Sequence, residues 1–183
     1  MLNRLFALFF LFLLSPIFLI IAFAIYIEDG NPIFFKQKRV GSNYSFFTIY
    51  KFRSMKKNTP NVATHLLENP EFYLLRIGRL LRKSSLDELP NLINILNGEM
   101  VFVGPRPALY NQDDLMKLRL VSGISKLKPG ITGWAQINGR DEITIEKKVE
   151  LERDYLHKKS FIFDMKILIK TFTNVLFSKG VSH

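Results

Sequence analysis

At 183 residues the chain has room for one modest domain; its 48% hydrophobic content, with 17 phenylalanines, is heavy for a soluble domain of that size, so part of the apolar surface is expected to meet lipid. The net charge of +10 calls for an anionic partner, which charge alone leaves open among membrane surface, nucleotide and nucleic acid. The absence of cysteine excludes disulfides, thiolate metal sites and cysteine nucleophiles, and the three histidines, His65, His157 and His183, lack the spacing of a metal cluster or a Ser-His-Asp triad, so the chemistry must rest on carboxylates.

Leu5 to Ile27 is 23 residues without a charge, enough at 1.5 Å per residue to cross a hydrocarbon core of about 30 Å. Arg4 followed by Ala22-Phe23-Ala24 also fits a cleaved signal peptide, although the run is long for one. Ser15-Pro16 at its middle predicts a kink. Proline removes a helical hydrogen bond, and the serine hydroxyl can bond a carbonyl that is thereby freed. A kinked helix can span a membrane or dip in and return. Positive charge on both flanks, Arg4 and then Lys36, Lys38 and Arg39, gives no direction, so these residues leave both topologies open.

Glu28 to Pro32 is a turn. Ile33 to Arg39 and Tyr44 to Phe52 are β-prone around Gly41-Ser42-Asn43, a hairpin that delivers Tyr50-Lys51-Phe52-Arg53 toward the body of the domain. Lys56 to Pro70 reads as a polar loop. Phe72 to Leu81 reads as a helix carrying Arg76, Arg79 and Arg82 at three-residue spacing, a stripe whose ordinary role is a solvated or headgroup-facing surface.

The organising stretch is Arg82 to Pro107, RKSSLDELPNLINILNGEMVFVGPRP. Pro90 is tolerated in a first helical turn, which places a helix start close to Asp87 and Glu88. The positive end of a helix favours an ionised Asp there and attracts phosphate, with Ser84, Ser85 or Asp87 as N-cap. Leu89, Leu92, Ile93 and Leu96 form one apolar face, and Asn97-Gly98 ends the helix. A structural reading competes: Ser85 and Glu88 fit a capping box, although Pro90 would then fall inside the helix. Met100 to Val103 read as a buried strand. Gly104-Pro105-Arg106-Pro107 then fixes an arginine on a backbone with little freedom, either a solvated turn or a guanidinium suited to bidentate phosphate capture.

Asn111 to Ser122 is a helical connector. Lys128 to Gly133 is a turn-rich loop whose glycines and Thr132 could approach a phosphate with backbone donors. Trp134 to Arg140 adds an aromatic face, two amides and an arginine. Thr144 to Leu156 is a charge-laced amphipathic helix. Phe161 to Phe177 is an apolar helix, with Asp164, Lys166 and Lys170 interspersed, that suits a membrane interface. Asp164 among aromatics needs a partner, for which an active-site cation is one option.

The blocks FFTIYKFRSM, SSLDELPNLINILNGEMVFVGPRP and LKPGITGWAQINGR, in that order, resemble the bacterial sugar transferases that are monotopic phosphoglycosyl transferases, and the likeness runs from the apolar N-terminus to about Val181. The resemblance implies an α+β, mainly helical fold: a re-entrant membrane helix over residues 1–28, broken at Ser15-Pro16, and a cytoplasmic catalytic domain over 29–183 with a small β-hairpin and amphipathic interfacial helices. It implies transfer of a phosphosugar from a UDP-sugar to undecaprenyl phosphate, or a related polyprenol phosphate, at the bacterial inner membrane. Asp87 is then the nucleophile, Glu88 the Mg²⁺-binding carboxylate, and Lys51, Arg82, Arg106, Arg140 and Asp164 residues of the substrate site. The family usually has aspartate where Glu152 stands and tyrosine at Tyr155. Membrane lipid is an expected partner, homo-oligomerisation is left open, and nucleic acid is not expected, because the basic residues are scattered among apolar helices with no recognition helix. Two other readings remain: a membrane phosphatase or pyrophosphatase, in which water resolves an aspartyl phosphate, and a non-catalytic membrane-anchored adaptor.

Overall fold

A computed structural model describes residues 1–60, 68–139 and 143–176. Two N-terminal helices, α1 (Leu2–Leu13) and α2 (Ser15–Asp29), meet at an angle of 61°. The kink is where the sequence places it and has the expected chemistry. Pro16 has no N–H for the Phe12 carbonyl four residues back, and the Ser15 hydroxyl donates to that oxygen at 2.8 Å instead. No single described helix is long and apolar enough to cross a membrane; the bent pair reaches that length only together.

The pair is amphipathic in a particular way. Ala7 packs with Phe47, Ile49, Leu92, Ile95 and Met100, while Ile21 and Ile25 pack with Phe52, Leu75 and Leu81. The rest, including Phe9, Phe12, Leu19, Ile20 and Phe23, is left exposed. Both ends of the pair are tied to the body of the fold. Arg4 donates to Asn97 O at 3.0 Å, and the Glu28 carboxylate accepts from the backbone N–H groups of Arg76 and Ile77 at 2.5 and 3.1 Å, capping the helix that starts there.

The hairpin forms as expected from β1 (Phe34–Val40) and β2 (Phe46–Phe52), antiparallel with Val40 opposite Phe46 and Phe35 opposite Lys51. Arg53, which follows it, is buried and holds the turn after α2 through Asp29 and the carbonyls of Gly30 and Pro32. The expected helix over Phe72 to Leu81 is broken into α3 (Pro70–Tyr73) and α4 (Arg76–Ser84). Leu74 and Leu75 between them are extended and buried: Leu74 bridges Met55, and Leu75 N–H donates to Ser54 O at 3.0 Å. Arg76 and Arg79 are exposed, Arg79 pairing with Glu71 at 2.7 Å, and only Arg82 turns inward.

After α5 (Asn91–Asn97), which Gly98 ends with φ of 81°, come β3 (Val101–Val103), β4 (Ala108–Leu109) and α6 (Asp113–Val121). β4 adds to the hairpin beside β1, giving a three-stranded sheet in the order β2-β1-β4. The loop expected over Lys128 to Gly133 contains a strand, β5 (Gly130–Thr132), parallel to β3. Its glycines serve backbone packing. A Cβ on Gly130 would sit 2.5 Å from Thr132 O and closer still to Gly104 N, and one on Gly104 would sit 2.5 Å from Lys128 O. Gly130→Ala is therefore expected to destabilise the protein by about 2 kcal/mol through forced separation of the two strands, measured by thermal unfolding in detergent; an unchanged midpoint would refute the packing argument.

The remaining helices are α7 (Trp134–Ile137), α8 (Ile145–Lys158), capped by the Thr144 hydroxyl, and α9 (Phe161–Leu176). Ile167 of α9 is buried beside Val103, Ile137 and Tyr155, whereas Phe161, Ile162, Ile169 and Phe172 face outward. The fold is thus a mixed helix and sheet structure, mainly helical, with two small sheets among the described residues.

Candidate functional site

Asp87 and Glu88 lie on a single 3-10 turn, Leu86–Glu88, that runs through Leu89 and Pro90 in right-handed helical conformation into α5. The carboxylates therefore stand at the start of a helical run, as Pro90 suggests. The capping is different. Ser85 has φ of 57° and makes no side-chain cap, and the Ser84 hydroxyl donates back to Leu80 O at 2.8 Å, so neither a serine N-cap nor a Ser85–Glu88 box forms. The buried face of α5 also differs from the apolar stripe. Leu92 and Ile95 are buried with Asn91 and Asn94, while Leu89, Ile93 and Leu96 are half-buried. The helix is wedged between α1 and β2, and Asn94 spans the gap: its amide nitrogen donates to Thr48 O at 2.7 Å and its Oδ1 accepts from Tyr50 N–H at 3.2 Å.

Those bonds tie β2 to α5 and bring Lys51 to the dyad. Lys51 Nζ lies 2.6 Å from Glu88 Oε1, and Arg106 Nη2 lies 3.2 Å from the same oxygen. Arg106 reaches it because Gly104 N–H donates to Thr132 O and Gly130 N–H to Pro105 O, both at 2.9 Å, pinning the turn to β5. Burial works to raise the Glu88 carboxyl, but Lys51 and Arg106 outweigh it and hold it near 2. Asp87 behaves in the opposite way. Burial is the largest influence, Lys51 opposes it, and Glu88 adds to it, so the group is pushed up to about 6. Desolvation thus outweighs the attraction of the nearby cations, although a carboxyl near 6 is still mainly ionised at neutral pH. Arg82, lowered by burial and supported by Asp87, is close enough to Asp87 to oppose its rise.

Lys51, Arg82, Asp87, Glu88 and Arg106 thus form one cluster. Asp164 has a different neighbour: its Oδ1 accepts from the Tyr155 hydroxyl at 2.8 Å, and that hydroxyl also lies 3.1 Å from Val103 O. Its hydrogen-bond partner is a tyrosine hydroxyl that also reaches a strand carbonyl, not a cation of the dyad cluster. Arg140 lies outside the described residues. Ser15 and Pro16 form the kink described above, remote in sequence from the dyad.

Three residues at or near the cleft were not singled out from sequence. Arg39 and Asn91 line the cleft with Lys51, Glu88 and Arg106. The hairpin register could have found Arg39, since Gln37 and Arg39 lie opposite Ile49 and Phe47 on the same face as Lys51. Arg119 of α6 is buried against Glu152 of α8, with Nε–Oε2 at 2.7 Å and Nη2–Oε1 at 2.5 Å, and its Nη2 donates to the Arg106 carbonyl at 2.9 Å. Glu152 is therefore a structural anion one step behind the arginine turn. Among the described residues, no three His, Cys, Asp or Glu side chains gather as a self-contained metal cage.

The family model described as bacterial sugar transferase matches residues 1–178. A Bacillus subtilis protein named uncharacterized sugar transferase EpsL is 44% identical over 184 residues, covering 98% of this chain and 90% of that one. The UDP-glucose:undecaprenyl-phosphate glucose-1-phosphate transferase of Escherichia coli is 40% identical over 170 residues, 88% of this chain and 36% of the relative. The UDP-N-acetylgalactosamine-undecaprenyl-phosphate N-acetylgalactosaminephosphotransferase of Aeromonas hydrophila is 33% identical over 173 residues, 92% of this chain and 41% of the relative. The chain therefore spans less than half the length of these last two relatives.

Proposed function

The chain belongs to the bacterial sugar transferase family, and from that premise we propose that it moves a phosphosugar from a UDP-sugar to undecaprenyl phosphate and releases UMP. The relatives whose names state a reaction carry out transfers of this kind. The observation that carries the reading here is the pairing of two adjacent carboxylates gathered with cations: Glu88 ion-paired to Lys51 and Arg106, and Asp87 desolvated beside it, the two shifted in opposite directions.

An Asp87 oxygen attacks the sugar-proximal phosphorus of the donor. The bond from that phosphorus to the bridging oxygen breaks, and its electron pair leaves with UMP, giving an aspartyl phosphosugar. The carboxylate has no proton to lose at neutral pH, so no general base is needed. Desolvation makes it a better nucleophile than a solvated aspartate, and Lys51, Arg82 and Arg106 offset charge on the diphosphate. An oxygen of undecaprenyl phosphate then attacks the same phosphorus and Asp87 departs, regenerating the carboxylate. A Mg²⁺ ion, which prefers one or two carboxylates with phosphate oxygens and water, fits a cleft that offers ionised Glu88 and the buried Asn91 Oδ1, which has no partner among the described residues, and would supply charge neutralisation at the diphosphate. The exposed apolar sides of α1, α2 and α9 support seating in one leaflet, with α1–α2 re-entering and the dyad at the cytoplasmic interface.

The test is UMP release from a panel of UDP-sugars with Mg²⁺, with and without undecaprenyl phosphate. Turnover that requires the lipid is expected and names the sugar at once. Sugar phosphate freed without lipid would indicate a phosphatase, and no turnover with any sugar would remove the reading. The rate should also follow Asp87. Because its carboxyl titrates near 6, kcat/KM is expected to be half-maximal near pH 6 and to fall about tenfold per unit below pH 5. A profile flat down to pH 4.5 would exclude Asp87 as the titrating nucleophile.

A further inference from the structure

Arg39 is built into the cleft without an ion pair among the described residues. Its guanidinium is held at two points by neutral acceptors, Nη2 on Gln37 Oε1 at 2.6 Å and Nη1 on Pro107 O at 3.1 Å. Its Nε is buried and has no hydrogen-bond partner among the described residues. Arg39 shares the cleft lining with Lys51 and Arg106, and Arg106 is near enough to repel it; Glu88, the one carboxylate lining the cleft, is already bound by Lys51 and Arg106. Burial, then Arg106, pushes Arg39 down to about 10, with Glu88 opposing, which still leaves it cationic at neutral pH.

A role as a buttress for the arginine turn would account for the Pro107 bond alone. An amide could make that bond, and it needs neither a charge nor a buried, unpartnered Nε beside a second guanidinium. Those costs are removed together by an anion in the cleft, for which the Gln37 and Pro107 bonds hold the planar fork in a set orientation. We propose that Arg39 binds the diphosphate of the nucleotide donor directly, as a further cation of the site beside Lys51 and Arg106. This rests on the reading of the cleft as a nucleotide-sugar site and adds to it a residue on the strand opposite Lys51.

UDP binding to the full-length protein in detergent, followed by calorimetry with Mg²⁺ present, tests this apart from turnover. Arg39→Gln, which retains a donor for Pro107 O, is expected to weaken UDP by about tenfold or more while leaving uridine binding and the melting temperature unchanged. Unchanged UDP affinity would overturn the proposal. If Arg39→Gln also lowers the melting temperature, uridine decides: a loss confined to UDP supports a contact with the diphosphate, and an equal loss of UDP and uridine overturns it. Wild-type protein that binds UDP through Arg39 yet releases no UMP would remove the transferase reading and leave the anion site. Wild-type turnover with Arg39→Gln binding UDP normally would do the reverse, and wild type that does not bind UDP would overturn this proposal.

Discussion

Asp87→Asn is expected to abolish UMP release, by at least about 10³-fold, and at the same time to make the protein more stable at neutral pH. The first effect follows from loss of the nucleophile: an amide oxygen cannot form the aspartyl phosphosugar. The second follows from linkage. Asp87 titrates near 6 in the fold against 3.8 for an ordinary aspartate, because burial outweighs the attraction of Lys51. The folded state therefore binds the proton more tightly than the unfolded state. Stability is greatest below about pH 4 with respect to this group, and falls as the pH rises through about 6. Asparagine has no charge to desolvate, so the loss disappears. The shift corresponds to at most about 3 kcal/mol, and the partial exposure of the turn reduces this to about 1–2 kcal/mol. At about 2–4 °C per kcal/mol for a chain of this size, thermal unfolding at pH 7 should move up by several degrees, and the gain should vanish at pH 4. An Asp87→Asn protein that melts lower than wild type at pH 7 would show that the desolvation argument is wrong. One that retains UMP release would exclude covalent catalysis at this residue.

Glu152→Ala is expected to give the largest loss of stability, about 3–5 kcal/mol, against the 5–15 kcal/mol typical of a whole domain. Glu152 is 2% exposed and Arg119 5% exposed, and they meet through two short bonds. Removing the carboxylate leaves a guanidinium buried without compensation. The damage should reach the site, because Arg119 also holds the Arg106 carbonyl, so kcat/KM should fall even under conditions where the variant stays folded. Replacing both partners by apolar residues, Arg119→Met with Glu152→Leu, should recover much of the stability but not the activity, since no charge is left stranded and no donor is left for Arg106. Denaturant titration in micelles measures the first effect and steady-state kinetics the second. A single-variant loss below about 1 kcal/mol would mean that water reaches Arg119.

Local signals in the chain are decisive where a residue has one strong preference. Ser15-Pro16 breaks a helix wherever it falls, Asn97-Gly98 ends one, and the alternating, β-branched and aromatic run around Gly41-Ser42-Asn43 can scarcely be anything but a hairpin. The pairing of Asp87 and Glu88 with a helical start after Pro90 was legible for the same reason. Phe72 to Leu81 reads as one helix but is broken, because Leu74 and Leu75 fit a helical stripe equally well and only the backbone of Ser54 and Met55 offers them an extended partner. Lys128 to Gly133 reads as a loop because two glycines and a proline lower strand propensity. Parallel pairing with β3 at close approach overrides that propensity, and it needs the missing side chains.

The candidate site divides in the same way. Which residue types could do the chemistry, two carboxylates and a set of cations without cysteine or a histidine cluster, was determined by the chain itself. Their states were decided by packing. Glu88 is strongly acidic and Asp87 weakly so, although they are neighbours on one turn, because Lys51 and Arg106 arrive beside one of them from elements 37 and 18 residues away. Arg39 entered through strand register, Asn91 through the helical face that β2 and α1 leave buried, and Asp164 was drawn to Tyr155. Composition and spacing set what each residue prefers within about one turn of helix or one strand. Desolvation and Coulomb attraction depend on which side chains meet across the fold, and those distances exist only once the tertiary structure has formed.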